Sequence, residues 1–325
     1  MRIIPASVDL VDLQQCLGSV GRVDMADLVE RADPVDTAGE AAGALTLRRV
    51  DFTQLTPLEE DAAVVAGCMQ KGGVGKTETI KGLGDKLTRP AKPEVPPLRV
   101  LLVDMDPNGT LSDGVGIDDD PEADGIASVM LDDKGERSAL DIVYAVTDNL
   151  HIIPTRDDMF SLDDEMAGKR GKERRLWQAI QPLLRFYHVI LIDCESSLGP
   201  GTDNALYATA RSRRGGVIVV VQFEGPCMRN FEILLDQIEA LERQLEVSVR
   251  IIGWFGNLAG TTKVNKQYRS QFEALPLDKL GEMPVRTKIK EAWDADKLLS
   301  EFMPASYDAN FIYGEFANKV RERIA

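Results

Sequence analysis

From residue 70 to 77 the chain reads Gln70-Lys71-Gly72-Gly73-Val74-Gly75-Lys76-Thr77, a glycine-rich run set between a short apolar stretch and a helical pattern. Glycines at this density let the backbone curl until successive N–H groups point inward. The helix that follows adds its own free N–H groups and the positive end of its dipole. Gly72, Gly73, Val74 and Gly75 would form a cradle for phosphate oxygens, with Lys76 placed to pair with the outer phosphates and the Thr77 hydroxyl to ligate Mg²⁺. Glu78 puts an acid beside the same phosphates, in a first helical turn that favours negative charge. Further carboxylates end apolar runs: Asp104 and Asp106 in Val103-Asp104-Met105-Asp106-Pro107-Asn108-Gly109, and Asp193 after Val189-Ile190-Leu191-Ile192. Carboxylates leaving strand ends beside a phosphate loop can hold the water shell of Mg²⁺ and orient an attacking water. Asp104, Asp106 and Asp193 are the candidates for these two roles, with Asp193 placed to contact Mg²⁺.

Strand ends and helix starts are needed to bring these groups together. Short β-branched runs at 63–66, 98–103, 150–153, 187–192, 217–221 and 247–255 alternate with helical patterns near 76–88, 172–185, 203–213, 227–245, 263–275 and 290–301. Nearly continuous apolarity in the runs means strands covered on both faces, so the fold class is α/β: a doubly wound, mostly parallel sheet with helices on both sides. The 325 residues, 44% of them hydrophobic, suffice for such a domain and exclude a disordered chain. Residues 62–325 would form it. Residues 1–61 read as an acidic helical extension, with helical spacing in Val8 to Leu17 and Val23 to Val29 around a glycine turn. Eight acids and no base between Asp113 and Asp133 predict a solvated loop. Four scattered cysteines without metal-ligand spacing are expected to be reduced thiols. His151 and His188 fall in strand patterns and read as core residues.

The phosphate loop departs from the general pattern at Gln70, where glycine is usual, and carries the extra lysine Lys71. In this it resembles the deviant Walker A motif of the ParA/MinD family of ATPases. The segment from Asp104 to Gly109 is similar to the family's D-x-D-P-Q-G, and the run ending at Asp193 to its Walker B strand. The resemblance implies ATP and Mg²⁺ as cofactors. It makes Lys71 a catalytic lysine that reaches the nucleotide of a partner subunit in an ATP-sandwich homodimer, beside Lys76 and the water-positioning Asp106. It also places Asn257 and Pro284 beside adenine. Cys194-Glu195-Ser196-Ser197-Leu198-Gly199 replaces the family's T-P-P-S-L-G, and the loss of both prolines with a charge at Glu195 predicts slow or partner-dependent hydrolysis.

The formal charge of −15 argues against binding polyanions over the whole surface. Basic residues nevertheless concentrate between 263 and 290. By resemblance to ParA partition ATPases, Lys263, Lys266, Arg269, Arg286, Lys288 and Lys290 would contact nonspecific DNA, and a ParB-type centromere-binding protein would be the further partner. The cargo would then be a plasmid, chromosome or phage genome. A positioning ATPase for a protein cargo and a nucleotide-dependent scaffold stay open as alternatives, as does extension of the dimer into filaments. The last residues resemble the family's terminal core helix rather than a membrane anchor, and no apolar run approaches bilayer length, so the expected location is the cytoplasm, on the nucleoid, with no membrane role.

Overall fold

A computed structural model describes residues 48–90, 94–117, 123–304 and 307–325; the expected helices before residue 48 lie outside the described residues. Nine strands form one sheet: β1 (Arg48–Arg49), β2 (Ala63–Cys68), β3 (Val100–Met105), β4 (Tyr144–Ala145), β5 (Leu150–Ile153), β6 (Val189–Cys194), β7 (Gly216–Val221), β8 (Ile251–Ala259) and β9 (Lys279–Pro284). Their order is β1-β4-β5-β3-β6-β2-β7-β8-β9. Only the β1–β4 and β4–β5 pairs are antiparallel. Every residue of β2, β3, β6 and β7 is buried, as the continuous apolar runs required. The helices are α1 (Lys76–Thr88), α2 (Thr110–Asp113), α3 (Ile126–Leu131), α4 (Leu162–Met166), α5 (Arg175–Ile180), α6 (Pro200–Arg211), α7 (Cys227–Leu245), α8 (Lys263–Glu273), α9 (Thr287–Asp294), α10 (Leu299–Phe302) and α11 (Asp308–Ile324). Among the described residues no helix is long and apolar enough to cross a membrane.

Several boundaries differ from the sequence reading. Arg48–Arg49, grouped with the extension, pairs with β4, and Phe52 packs edge-on against Phe186, so these residues join the domain. The acidic stretch before Asp133 contains α3, because Ile126 and Met130 share a helical face and bury it. The helix expected at 172–185 is α5 between two 3₁₀ turns, the second containing Pro182. That expected at 290–301 is split into α9 and α10. β9 has no continuous apolar run: as an edge strand it buries only Leu280 and Met283 and carries charge.

Of the two histidines expected in the core, His151 is buried there, whereas His188 is half-buried just before β6. The His151 Nδ1 lies 2.7 Å from the Tyr187 hydroxyl, and burial lowers its pKa to about 4. The His188 Nδ1 accepts the Arg99 N–H at 2.9 Å. One packing contact ties the phosphate-loop helix to the end of the chain: α11 lays the fully buried Tyr313 against α1 at Gly82, where a Cβ would fall 2.6 Å from the ring. Alanine would gain about 1 kcal/mol in helix propensity, but forcing a methyl into a rigid buried ring costs about 1–3 kcal/mol. Gly82→Ala is therefore expected to lower the urea midpoint, whereas a midpoint that rises would mean that α11 is not packed against this face.

Candidate nucleotide-binding site

The parallel register brings the chemical groups to one edge. Gly67 is opposite Asp193 on one side, and Asp104 is opposite Asp193 on the other, so the ends of β2, β3 and β6 open together. The loop after β2 turns through left-handed backbone at Gly73 (φ 75°) and Gly75 (φ 80°), conformations that favour glycine. Gly75 caps α1 without a side-chain hydrogen bond, leaving the first helical N–H groups for a ligand. Asn257, at the end of β8, donates from Nδ2 to the carbonyls of Val74 (3.1 Å) and Gly75 (3.3 Å) and accepts from the Leu258 N–H, so it pins the loop from behind.

The two loop lysines are held differently. Lys76 is 6% exposed and donates to the Lys71 carbonyl and the Ser196 hydroxyl, which links the loop to the segment after β6. Lys71 pairs with Glu224 at 2.7 Å, both side chains partly exposed.

The carboxylates divide by their bonds. Asp193 is fully buried, neither oxygen accepts a hydrogen bond, and burial and then the neighbouring Asp104 drive its pKa well up, opposed by Thr77 and Lys76. Two orphaned hard oxygen donors beside a threonine hydroxyl suit Mg²⁺. Asp104 is different: Oδ1 accepts the Asp106 N–H (3.1 Å), and Oδ2 accepts both the N–H (2.9 Å) and the hydroxyl (2.7 Å) of Ser112. These bonds fix the turn that carries Asp106, while burial raises the Asp104 pKa to about 6. Asp106 accepts from the backbone N–H and side-chain amide of Asn108, an Asx turn at the mouth of the site.

Beside the loop lies a mainly apolar cleft of about 340 Å³, lined among others by Gly75, Glu78, Asn257, Pro284, Ile289 and Trp293. Its shape and lining suit a planar base. Burial pushes Glu78 up to about 7, with Lys81 opposing and the Tyr313 hydroxyl 3.4 Å away. Glu195 sits against the start of α6, its Oε1 3.0 Å from where a Gly201 Cβ would be, so its charge is turned toward a helix N-terminus. Of the basic candidates, Lys263, Lys266, Lys288 and Lys290 are exposed. Arg269 is fastened to Glu282 (2.6 Å) and the Gly260 carbonyl, Arg286 to Asp308, and Lys288 to Glu291. Sequence reasoning assigned no role to Ser112, Ser196, Glu224 or Tyr313, although Ser196 lies in the segment that replaces the family's T-P-P-S-L-G.

A glycine cradle at a helix start, a buried lysine within it and an unpartnered strand-end carboxylate beside it define a P-loop nucleotide site on a doubly wound sheet. A family model described as an AAA domain matches residues 62–251. The chain is 30% identical over 261 residues to the sporulation initiation inhibitor protein Soj of Bacillus subtilis, covering 79% of this chain and 97% of Soj. An uncharacterized protein of Mycobacterium tuberculosis is 33% identical over 194 residues, 59% of this chain and only 57% of that protein. Among solved structures, the Mycobacterium smegmatis protein described as cobyrinic acid a,c-diamide synthase, with bound ATP analog and magnesium, matches with a TM-score of 0.63 at 27% identity, over 79% of this chain and 93% of that one. The chain belongs to the ParA/MinD family of P-loop ATPases.

A carboxyl whose pKa is raised by folding holds its proton more tightly in the native state. Its contribution is therefore full below the unfolded value, 3.8 for Asp104, and is lost as the pH rises through about 6. Asp193 acts in the same direction. Removing that charge with Asp193→Asn should raise the Tm of the nucleotide-free protein at pH 7 by ~2–4 °C and abolish further stabilisation by Mg²⁺ with ATP. An unchanged Tm together with intact Mg²⁺ stabilisation would place the metal elsewhere.

Proposed function

We propose that the protein is a partition ATPase that binds ATP with Mg²⁺, hydrolyses it slowly, and works as an ATP-sandwich dimer on nonspecific DNA with a ParB-type centromere-binding partner to move a genome. The observation that carries this reading is the loop lysine Lys71, partly exposed and, among the described residues, tethered by an ion pair with Glu224. A partly exposed ion pair of this kind is worth about 0–1 kcal/mol, so exchanging Glu224 for a phosphate across a dimer interface costs little. Lys76, buried and bonded into the loop, serves the nucleotide of its own subunit. Thr77 and Asp193 would hold Mg²⁺, which lowers the barrier by neutralising phosphate charge. Asp106, held by the turn that Asp104 and Asn108 stabilise, would orient the attacking water.

Lys263, Lys266 and Lys290 are exposed cations on or beside α8 and α9 and support a DNA-facing surface there, with Arg286 and Lys288 available once phosphates compete for them. In this reading the protein works in the cytoplasm, associated with the nucleoid.

Two measurements test it. Lys76→Ala should abolish ATP binding, whereas Lys71→Ala should leave binding intact and suppress ATP-dependent dimerisation in analytical ultracentrifugation; equal loss of binding in both would contradict the sandwich. Affinity for random-sequence duplex should require ATP and fall with salt, and Arg286→Glu with Lys288→Glu should weaken it at least ~10-fold. DNA affinity that is absent with ATP, or unmoved by the double variant, sinks the DNA assignment for this face.

A further inference from the structure

Cys68 and Cys194 are the last residues of β2 and β6, adjacent parallel strands whose preceding residues, Gly67 and Asp193, are register partners. The two side chains therefore leave the sheet on the same side, with Sγ atoms 3.6 Å apart and each residue 1% exposed. Neighbouring strands lie about 4.8 Å apart, inside the ~4.4–6.8 Å Cα window that a disulfide spans. Both thiols are free in this structure. Their places in the chain matter: three residues after Cys68 comes Lys71, and two after Cys194 comes Ser196, which holds Lys76.

We propose that Cys68 and Cys194 form a redox modification site, oxidised by peroxide to an intramolecular disulfide that locks the phosphate loop to the segment after β6 and stops turnover. One thiol attacks a peroxide oxygen, the O–O bond breaks, and a sulfenic acid and water result. The second thiol then displaces the sulfenic oxygen as another water. Two thiols and one hydrogen peroxide thus give one S–S bond and two waters, with both electrons passing from sulfur to oxygen. Both sulfurs are buried, so the reaction is slow and waits on local opening that admits peroxide. Bond formation draws the sulfurs from 3.6 Å to about 2.0 Å. Whatever part of this closure the backbone takes up moves strand ends that carry the loop and the metal carboxylate, where a shift of about 1 Å costs ~10²-fold in turnover.

The test uses the full chain. After hydrogen peroxide treatment, unfolding and alkylation, trypsin should yield the peptide ending at Lys71 linked to the peptide ending at Arg211, while Cys227 is recovered alkylated. ATP turnover should fall at least ~10-fold and return with dithiothreitol. Cys68→Ala, with Cys68→Ser in case the first folds poorly, should resist the inhibition. Recovery of both thiols alkylated, or oxidation only to sulfinic and sulfonic acids, overturns the proposal. So does a linked pair that leaves turnover unchanged, or inhibition that persists in the Cys68 variants. Peptide linkage is read independently of ATPase activity, so it separates failure of this inference from failure of the ATPase assignment.

Discussion

A carboxylate out of water with neither oxygen hydrogen-bonded is the constraint around which this molecule is arranged. Asp193 lies between Gly67 and Asp104 at the centre of an otherwise apolar sheet. Holding this carboxyl out of water costs stability, because burial and the adjacent Asp104 disfavour its charged form more than Thr77 and Lys76 support it. Its position is useful only if a cation and a phosphate chain arrive, so the strands accept local instability in exchange for a site that binding completes. Gly67 serves the same end from the opposite strand. A Cβ there would fall 2.8 Å from Ile80, so glycine lets α1 settle close to the sheet and brings Thr77 and Lys76 within electrostatic reach of Asp193.

The helix that presents the cradle also anchors the end of the chain. Below Lys76, α1 turns a polar face toward the C-terminal helices. Lys81 lies 4.0 Å over the Trp293 ring of α9, and Asp85 accepts from the Ser300 backbone and hydroxyl of α10. Arg89 reaches Glu301 of α10, and Tyr313 of α11 covers Gly82. A shift of α1 when phosphates bind would therefore be felt first by the helices that carry Trp293, Lys288 and Lys290. Rigid contacts of this kind transmit small displacements because a close-packed interior cannot absorb them.

Much of this was legible in the sequence because the strongest signals have local causes. Six apolar runs marked the central strands, and the spacing from Gly72 to Thr77 marked a loop whose geometry glycine alone permits. What escaped was decided at long range. β9 is an edge strand with only two buried residues, so its pattern is weak, and α3 hides core residues within an acidic stretch. The division of labour between Asp104 and Asp193 could not be read from their identical residue type; it depends on Ser112, eight residues along the chain, filling the lone pairs of one and not the other. Glu195 was similarly ambiguous, since only the fold turns it toward the start of α6.

Charge is where counting residues misleads most. The run from 263 to 290 is basic by composition, yet Arg269, Lys279, Arg286 and Lys288 each face a carboxylate within ion-pair distance. A polyanion approaching this edge meets Lys263, Lys266 and Lys290 first, and must compete with Asp308 and Glu291 for the rest. The competing pairs are exposed, so each resists by no more than about 1 kcal/mol, but every exchange replaces an internal counter-charge instead of releasing a bulk ion. The salt dependence of such a surface is set by the cations free before contact, not by the total in the sequence. With an overall charge of −15 repelling phosphate elsewhere, any DNA contact in the proposed function would be confined to one face and modest per subunit, and pairing two such faces in a dimer would multiply it.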